Sequence, residues 1–328
     1  MGQDGSLTLQ KIYMAVIRTT LLGGPAAATF NGHTFFARDG ILVTPALELE
    51  AVDSDAQGVL DATATPAPVL IKFTPSAPFA DLIELYPWLE GAPGTSLFGA
   101  ADAPLVLVAA NGVRVTFSAA AVVQMPDLLL GAREPVSGAV TFMAIGARSL
   151  PFSAANRLVA VDTAEFPALP TATPQLADNF QIAWGASGGS PWFNLRARDG
   201  VAVRFAMKTR PVLSAANALV DMTLEELAVS ARFTPASPSG PAESDVFSAL
   251  QVTALPRRLL SLGAQTLDVA GEHLWLRLPL AQLSMGPMSF DAVHARLGEL
   301  VFTAGRALLG TSAPAVALAG LSEGEPTE

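Results

Sequence analysis

The tetrapeptide ARDG occurs at Ala37–Gly40 and again at Ala197–Gly200, each time ahead of an apolar, strand-like run. The spacing, 197 − 37 = 160, aligns much else. Asp61 meets Asp221, IKFTPSAP (Ile71–Pro78) meets ARFTPASP (Ala231–Pro238), Met125 meets Met285, Gly138 meets Gly298 and Phe142 meets Phe302. In between, the register slips to 164, pairing Asp81 with Asp245 and Gly99 with Gly263, then recovers. The slips fall in Pro/Gly-rich stretches, where loops absorb length changes and regular elements do not. A chain repeated in this way has to fold as two copies of one unit of about 160 residues.

The duplication divides the 328 residues into a first domain at 1–165, a Pro-rich linker at 166–179, a second domain at 180–321 and an acidic disordered tail at 322–328. Pro167, Pro170 and Pro174 keep the linker out of regular structure. Within each copy a period of two dominates. Val69, Ile71 and Phe73 share one face of a strand, and their counterparts Val229, Ala231 and Phe233 keep that face apolar. The run Pro104–Phe117 reads as a hairpin with a type I′ turn at Asn111–Gly112, leaving Val113, Val115 and Phe117 on one side. One amphipathic helix per copy is expected, at Phe79–Leu89 and Glu243–Leu250. The fold class is mainly β: two tandem domains, each of two packed antiparallel sheets with one short flanking helix.

Chemistry leaves few traces. There are no cysteines, which removes disulfides, thiolate metal sites and cysteine nucleophiles and fits a reducing compartment. His33, His273 and His294 fit no metal-ligand spacing and read as structural or surface residues. The glycine-rich GASGGSPW (Gly185–Trp192) lacks the Lys-Ser/Thr of a phosphate loop and reads as a loop, and no G-x-S-x-G elbow is present. An enzyme is therefore not expected, nor any metal or cofactor. The first residues show no basic region leading into an apolar core, so no secretory signal is expected, and no stretch reaches transmembrane length.

Surface composition is more informative. Charged residues are 15% of the chain, against about 25% in ordinary globular proteins, while mean hydropathy is +0.42. So little charge leaves much of the surface to be covered by other subunits. The net charge of −10 splits evenly, −5 in residues 1–160 (8 Lys/Arg, 13 Asp/Glu) and −5 in 161–328 (11 and 16). Neither half presents a basic face for nucleic acid. Glu48 and Glu50 share one strand face, as do Asp53 and Asp55, and at the 160 offset Glu48 and Glu50 meet Lys208 and Arg210. These six residues are the candidate lumen-facing or inter-subunit charges.

In order along the chain, LLGGPAAATFNGHTFFARDG, VDSDAQGVLD, FTPSAP, SLFG with PLVLVAANG, AAAVVQMPDLLLG and GAVTFMAIG resemble the major tail tube proteins of long-tailed (siphovirus-type) bacteriophages, in the version with two tube domains. The second copy departs from the pattern where SDAQG becomes SAANA and MPDLLLG becomes MGPMSFD. The resemblance implies a structural virion protein, assembled in the host cytoplasm, whose trimeric rings of pseudo-sixfold symmetry stack into the tail tube. It also implies contacts with tape measure and tail terminator or baseplate proteins, and double-stranded DNA passing through the lumen without specific binding. A negative net charge suits such a conduit. The alternative left open is a secreted or surface β-sandwich, an adhesin-like binding protein.

Overall fold

The computed structural model describes residues 25–45, 48–54, 58–65, 68–99, 103–131, 137–145, 159–168, 180–186, 193–213, 219–235, 265–271, 274–285, 289–290, 295–296 and 298–310. The chain is mainly β, in antiparallel sheets with one short α-helix among the described residues, in keeping with a β-sandwich class. The first half comprises β1 (Ala26–Phe30), β2 (His33–Pro45), β3 (Glu48–Ser54), β4 (Gly58–Thr65), β5 (Val69–Ser76), α1 (Phe79–Leu82), β6 (Leu105–Ala109), β7 (Val113–Phe117), β8 (Ala119–Gln124), β9 (Leu128–Leu130), β10 (Val140–Ile145) and β11 (Val159–Thr163). The second comprises β12 (Gln181–Ala186), β13 (Phe193–Arg196), β14 (Val201–Leu213), β15 (Leu219–Phe233), β16 (Gln265–Ala270), β17 (Trp275–Pro279), β18 (Gln282–Met285), β19 (Ser289–Phe290), β20 (Ala295–Arg296), β21 (Leu300–Ala304) and β22 (Leu308–Gly310).

Strand order recurs. The first half forms β11-β7-β6-β1-β2-β5-β10-β8. The second runs β22-β17-β16-β12-β13 in one sheet and β14-β15-β21-β18 in another. The two series match strand for strand, with β13 and β14 together taking the place of β2. Register recurs as well: Phe142 opposes Ile71 and Phe302 opposes Ala231, while Val43 opposes Ile71 and Val203 opposes Ala231.

The repeated ARDG marks the corner in each half. Ala37 bridges Pro75 and Ala197 bridges Pro235, after which the ladder slips and pairing resumes at Ile41 with β5 and at Ala202 with β15. Gly40 (φ +84°) and Gly200 (φ +91°) supply the left-handed conformation that such a bulge requires. The bulge bends the strand as at the corners of sandwiches, within one sheet in the first half and between two sheets in the second. In the first half the strand stays continuous; in the second it breaks into β13 and β14.

Alternation explains what lies beneath. Val69, Ile71 and Phe73 are buried, as are Val229, Ala231 and Phe233, whereas the intervening Lys72 and Arg232 are exposed. Phe142 meets Phe30 edge-on at 5.0 Å and stacks on Phe73 at 6.0 Å. Its counterpart Phe302 meets Trp184 edge-on at 5.7 Å and stacks on Phe233 at 5.9 Å. Such pairs add about 0.5–1.5 kcal/mol each beyond area burial. Buried side chains of both halves form one contiguous cluster.

Two local expectations are revised. The helix starting at Phe79 is four residues of α-helix followed by a 3-10 turn at Ile83–Leu85, its Asp81 bonded to Nδ1 of His33 at 2.8 Å. The Asn111–Gly112 turn is not type I′, because only Gly112 has positive φ. Gly112 N–H donates to Ala109 O at 2.9 Å, leaving three loop residues, so Asn111 stays right-handed and caps Val113 N–H through its side chain. The type I′ geometry belongs to Asn31–Gly32 (φ +49° and +82°), where Phe30 pairs with His33 and only two residues remain. The second-copy helix, most of the linker and the acidic tail lie outside the described residues.

Candidate functional site

The feature that organises the molecule is the junction between its halves, built by strand addition at two places. At the first, β9 leaves its own half and pairs antiparallel with β14, setting Leu130 opposite Val201, Leu129 opposite Ala202 and Leu128 opposite Val203. Leu128 and Leu130 are buried, so alternation makes this tripeptide a clamp with two apolar anchors. The other edge of β9 is held in its own half by a bridge from Leu128 to Ser137 and by Gly138 N–H donating to Asp127 O at 2.6 Å. Ser137, itself buried, donates to Pro75 O at 3.0 Å, and Arg38 donates to the same carbonyl at 3.1 Å. Burial lowers the Arg38 pKa from its usual value, against the opposing pull of Asp39. Asp127 approaches Arg204 of β14 at 3.8 Å, an exposed contact of small energy.

At the second place, residues 94–98 lie along β15. Gly94 N–H donates to Leu224 O at 2.7 Å, Leu224 N–H to Thr95 O at 2.8 Å, and Leu97 N–H to Met222 O at 2.8 Å. Asp221 closes this seam. Its carboxylate accepts from Ser96 Oγ at 2.6 Å, from Phe98 N–H at 3.3 Å and from its neighbour Met222 N–H at 2.7 Å. Leu97, Phe98, Met222 and Leu224 then pack with Ala119, Ala121 and Ile145 in a second buried cluster. Hydrogen bonds to a charged acceptor are worth about 1.5–3 kcal/mol each, so Asp221 is the strongest polar element of the seam. Tyr86 packs its ring on Phe205 at 5.1 Å, and its buried hydroxyl has no hydrogen-bond partner among the described residues. Burial, reinforced by the charge of Asp127, pushes that hydroxyl well above the usual tyrosine range.

Of the charge pairs read from the sequence, Lys208 and Arg210 flank this seam on β14, Arg210 lying opposite Thr223, whose other edge bridges Ser96. Glu48, Glu50 and Asp53 belong to β3, which pairs with β4 so that Glu48 opposes Thr65 and Glu50 opposes Thr63. A register shift follows Val52, setting Asp53 opposite Val59. Asp55 lies outside the described residues. Lys208 and Arg210 sit on the exposed stretch of β14, and Lys208 Nζ lies 3.4 Å from Glu225 of β15. Glu225 occupies the position of Thr65 at the 160 offset. The inverted sign at 48/208 is thus accompanied by a cross-strand change from Thr65 to Glu225 in the same hairpin.

What sequence reasoning missed is the seam itself. The Asp61–Asp221 match was visible at the 160 offset, but nothing in it indicated that Asp221 receives a segment from the other half. Leu128–Leu130 entered only as part of the AAAVVQMPDLLLG motif. No helix among the described residues is long and apolar enough to cross a membrane. No group of three metal-binding side chains occurs among them. No protein-family model matches the chain, and no curated protein matches it.

Proposed function

We propose that the chain is a structural subunit that assembles head to tail into closed rings, three chains presenting six copies of one domain, and that the rings stack into a tube. The observation that carries this reading is the junction between β9 and β14: one copy of the repeated unit already joins the next by giving it a strand. A contact that adds the front of one unit to the back of another is heterologous and closes into a ring when its rotation divides a circle. Closure also removes the open strand edges that would otherwise aggregate. The 15% charged content agrees, since ring and stacking contacts bury surface that a monomer would have to solvate.

The resemblance to the two-domain tail tube proteins gives this assembly a role. The tube would be a phage tail conduit for genome ejection, bounded by tape measure and terminator or baseplate proteins, with DNA sliding past a net-negative protein. Negative-stain electron microscopy and sedimentation velocity of the purified chain test the reading. Rings or tubes support it; a 33.9-kDa species that stays monomeric at every concentration and in the presence of other tail components overturns it.

A further inference from the structure

Each half of the chain owns both parts of the β9–β14 junction, yet among the described residues one pair of them meets and the other does not. The donor is β9, and the segment at its place in the second half is β19, since 129 + 160 = 289. The likeness extends to its hairpin. Ser289 opposes Arg296, which moved back by 160 falls on positions 129 and 136, the next step on the ladder that joins Leu128 to Ser137. β9 therefore has one edge on its own hairpin and the other on β14. Among the described residues β19 pairs only with β20, and its outer edge, the counterpart of the β9 edge that meets β14, has no strand partner there.

The acceptor is the edge of β14 at Val201–Val203, and its counterpart is β2 at Ile41–Val43. There β5 holds one edge, while β1 ends its pairing at Phe36. Beyond the ARDG corner the other edge of β2 has no strand partner among the described residues. Two measurements mark this edge as uncovered. Leu42 is 62% exposed, the most exposed of the large apolar side chains among the described residues, whereas Ala202 at its place, opposite Leu129 of β9, is partly covered. A Cβ on Gly200 would stand 2.4 Å from Leu130 O, whereas one on Gly40 would meet nothing within 4 Å.

We infer that β19 of one copy of this chain adds to the Ile41–Val43 edge of β2 of a second copy, repeating between chains the junction that β9 and β14 make within one. The transferred register sets Phe290 opposite Ile41 and Ser289 opposite Leu42. The inference rests on the ring reading and names its contact. The two surfaces differ, so a single contact leaves a donor on one chain and an acceptor on the other, and a contact that keeps the rotation of the internal junction uses up both when the ring closes.

The absence of native cysteine makes the test direct. Directly opposite residues of antiparallel strands have Cα atoms about 4.5–5.5 Å apart, within the span of a disulfide. The variant Leu42→Cys with Ser289→Cys, oxidised at assembling concentration, should give reducible products of two and three chain masses and none larger. Ala202→Cys with Leu129→Cys, opposite one another within the chain, should close without changing mass. Rings that form in the microscope while the 42/289 pair fails to cross-link and the 129/202 pair succeeds would overturn the inference and leave ring assembly standing. Dimers from Leu42→Cys alone would also overturn it, because like edges would then be meeting. Absence of both assembly and cross-links would overturn the ring reading with it.

Discussion

The two corner glycines offer a comparison in which the backbone demand is the same and only the covering differs. Alanine at either site must adopt a positive φ, +84° at Gly40 and +91° at Gly200, at a cost of about 1–2 kcal/mol. At Gly40 that is the whole cost to the isolated chain, because the new methyl meets nothing within 4 Å. At Gly200 the methyl would lie 2.4 Å from Leu130 O and 2.8 Å from Gly131 Cα, backbone atoms that must retreat by roughly 1 Å to restore normal contact. Overpacking of this kind costs about 1–3 kcal/mol. Detaching β9 altogether would uncover Leu128 and Leu130, at about 1.5–3 kcal/mol each, so the strand shifts rather than leaves. Gly200→Ala should accordingly cost about 1–3 kcal/mol more than Gly40→Ala, read as a lower urea midpoint at unchanged m-value below the assembly concentration. Assembly should rank the other way relative to stability. If β19 of a second copy approaches Gly40 as β9 approaches Gly200, Gly40→Ala leaves a folded chain whose rings are weakened or lost in sedimentation. Equal destabilisation by the two variants would refute the packing argument at the junction, and normal rings from Gly40→Ala would refute the equivalence of the two edges.

Three further outcomes follow from the same geometry. Phe142→Ala and Phe302→Ala should each lower chain stability by about 3–5 kcal/mol, with similar values because their aromatic neighbours match; a difference beyond about 2 kcal/mol would mean that the two cores are not equivalent in energy. Tyr86→Phe should leave stability unchanged or raise it by about 1–2 kcal/mol in thermal unfolding, since it deletes a buried hydroxyl with no partner while keeping the ring on Phe205; a loss of that size would reveal a partner for the hydroxyl. Glu48→Lys with Glu50→Arg should impair assembly with under about 1 kcal/mol change in chain stability, and adding Lys208→Glu with Arg210→Glu should partly restore it; normal tubes from the first double variant would show that these faces do not meet.

Much of the fold was legible because it depends on composition at a fixed period. Alternation placed Val69, Ile71 and Phe73 on a buried face, and their counterparts at 229–233, since one face of a packed sheet excludes water whatever the sheet's neighbours. The recurrence of ARDG identified a position that both halves need, and its glycine is explained by a backbone conformation that other residues adopt only under strain. Turn type was less legible. Asn-Gly occurs at 31–32 and at 111–112, and only the number of residues left between paired strands decides that the first is type I′ and the second is not.

The partner of an edge strand was not legible at all. Alternation states which side of Leu128–Leu130 is buried, but the ladder to Val201–Val203 consists of backbone hydrogen bonds that any residues but proline can make. Such a choice leaves no side-chain signature. Asp221 shows the same limit from the other direction: its identity was conspicuous beside Asp61, while its acceptor role exists only because the fold brings residues 94–98 to β15. The sequence by itself determined that there are two copies of one β unit with matched cores. Only the tertiary structure decided that the first copy gives strands to the second, because that depends on where edges meet in space, and among the described residues it leaves an edge of β2 and an edge of β19 without a strand partner.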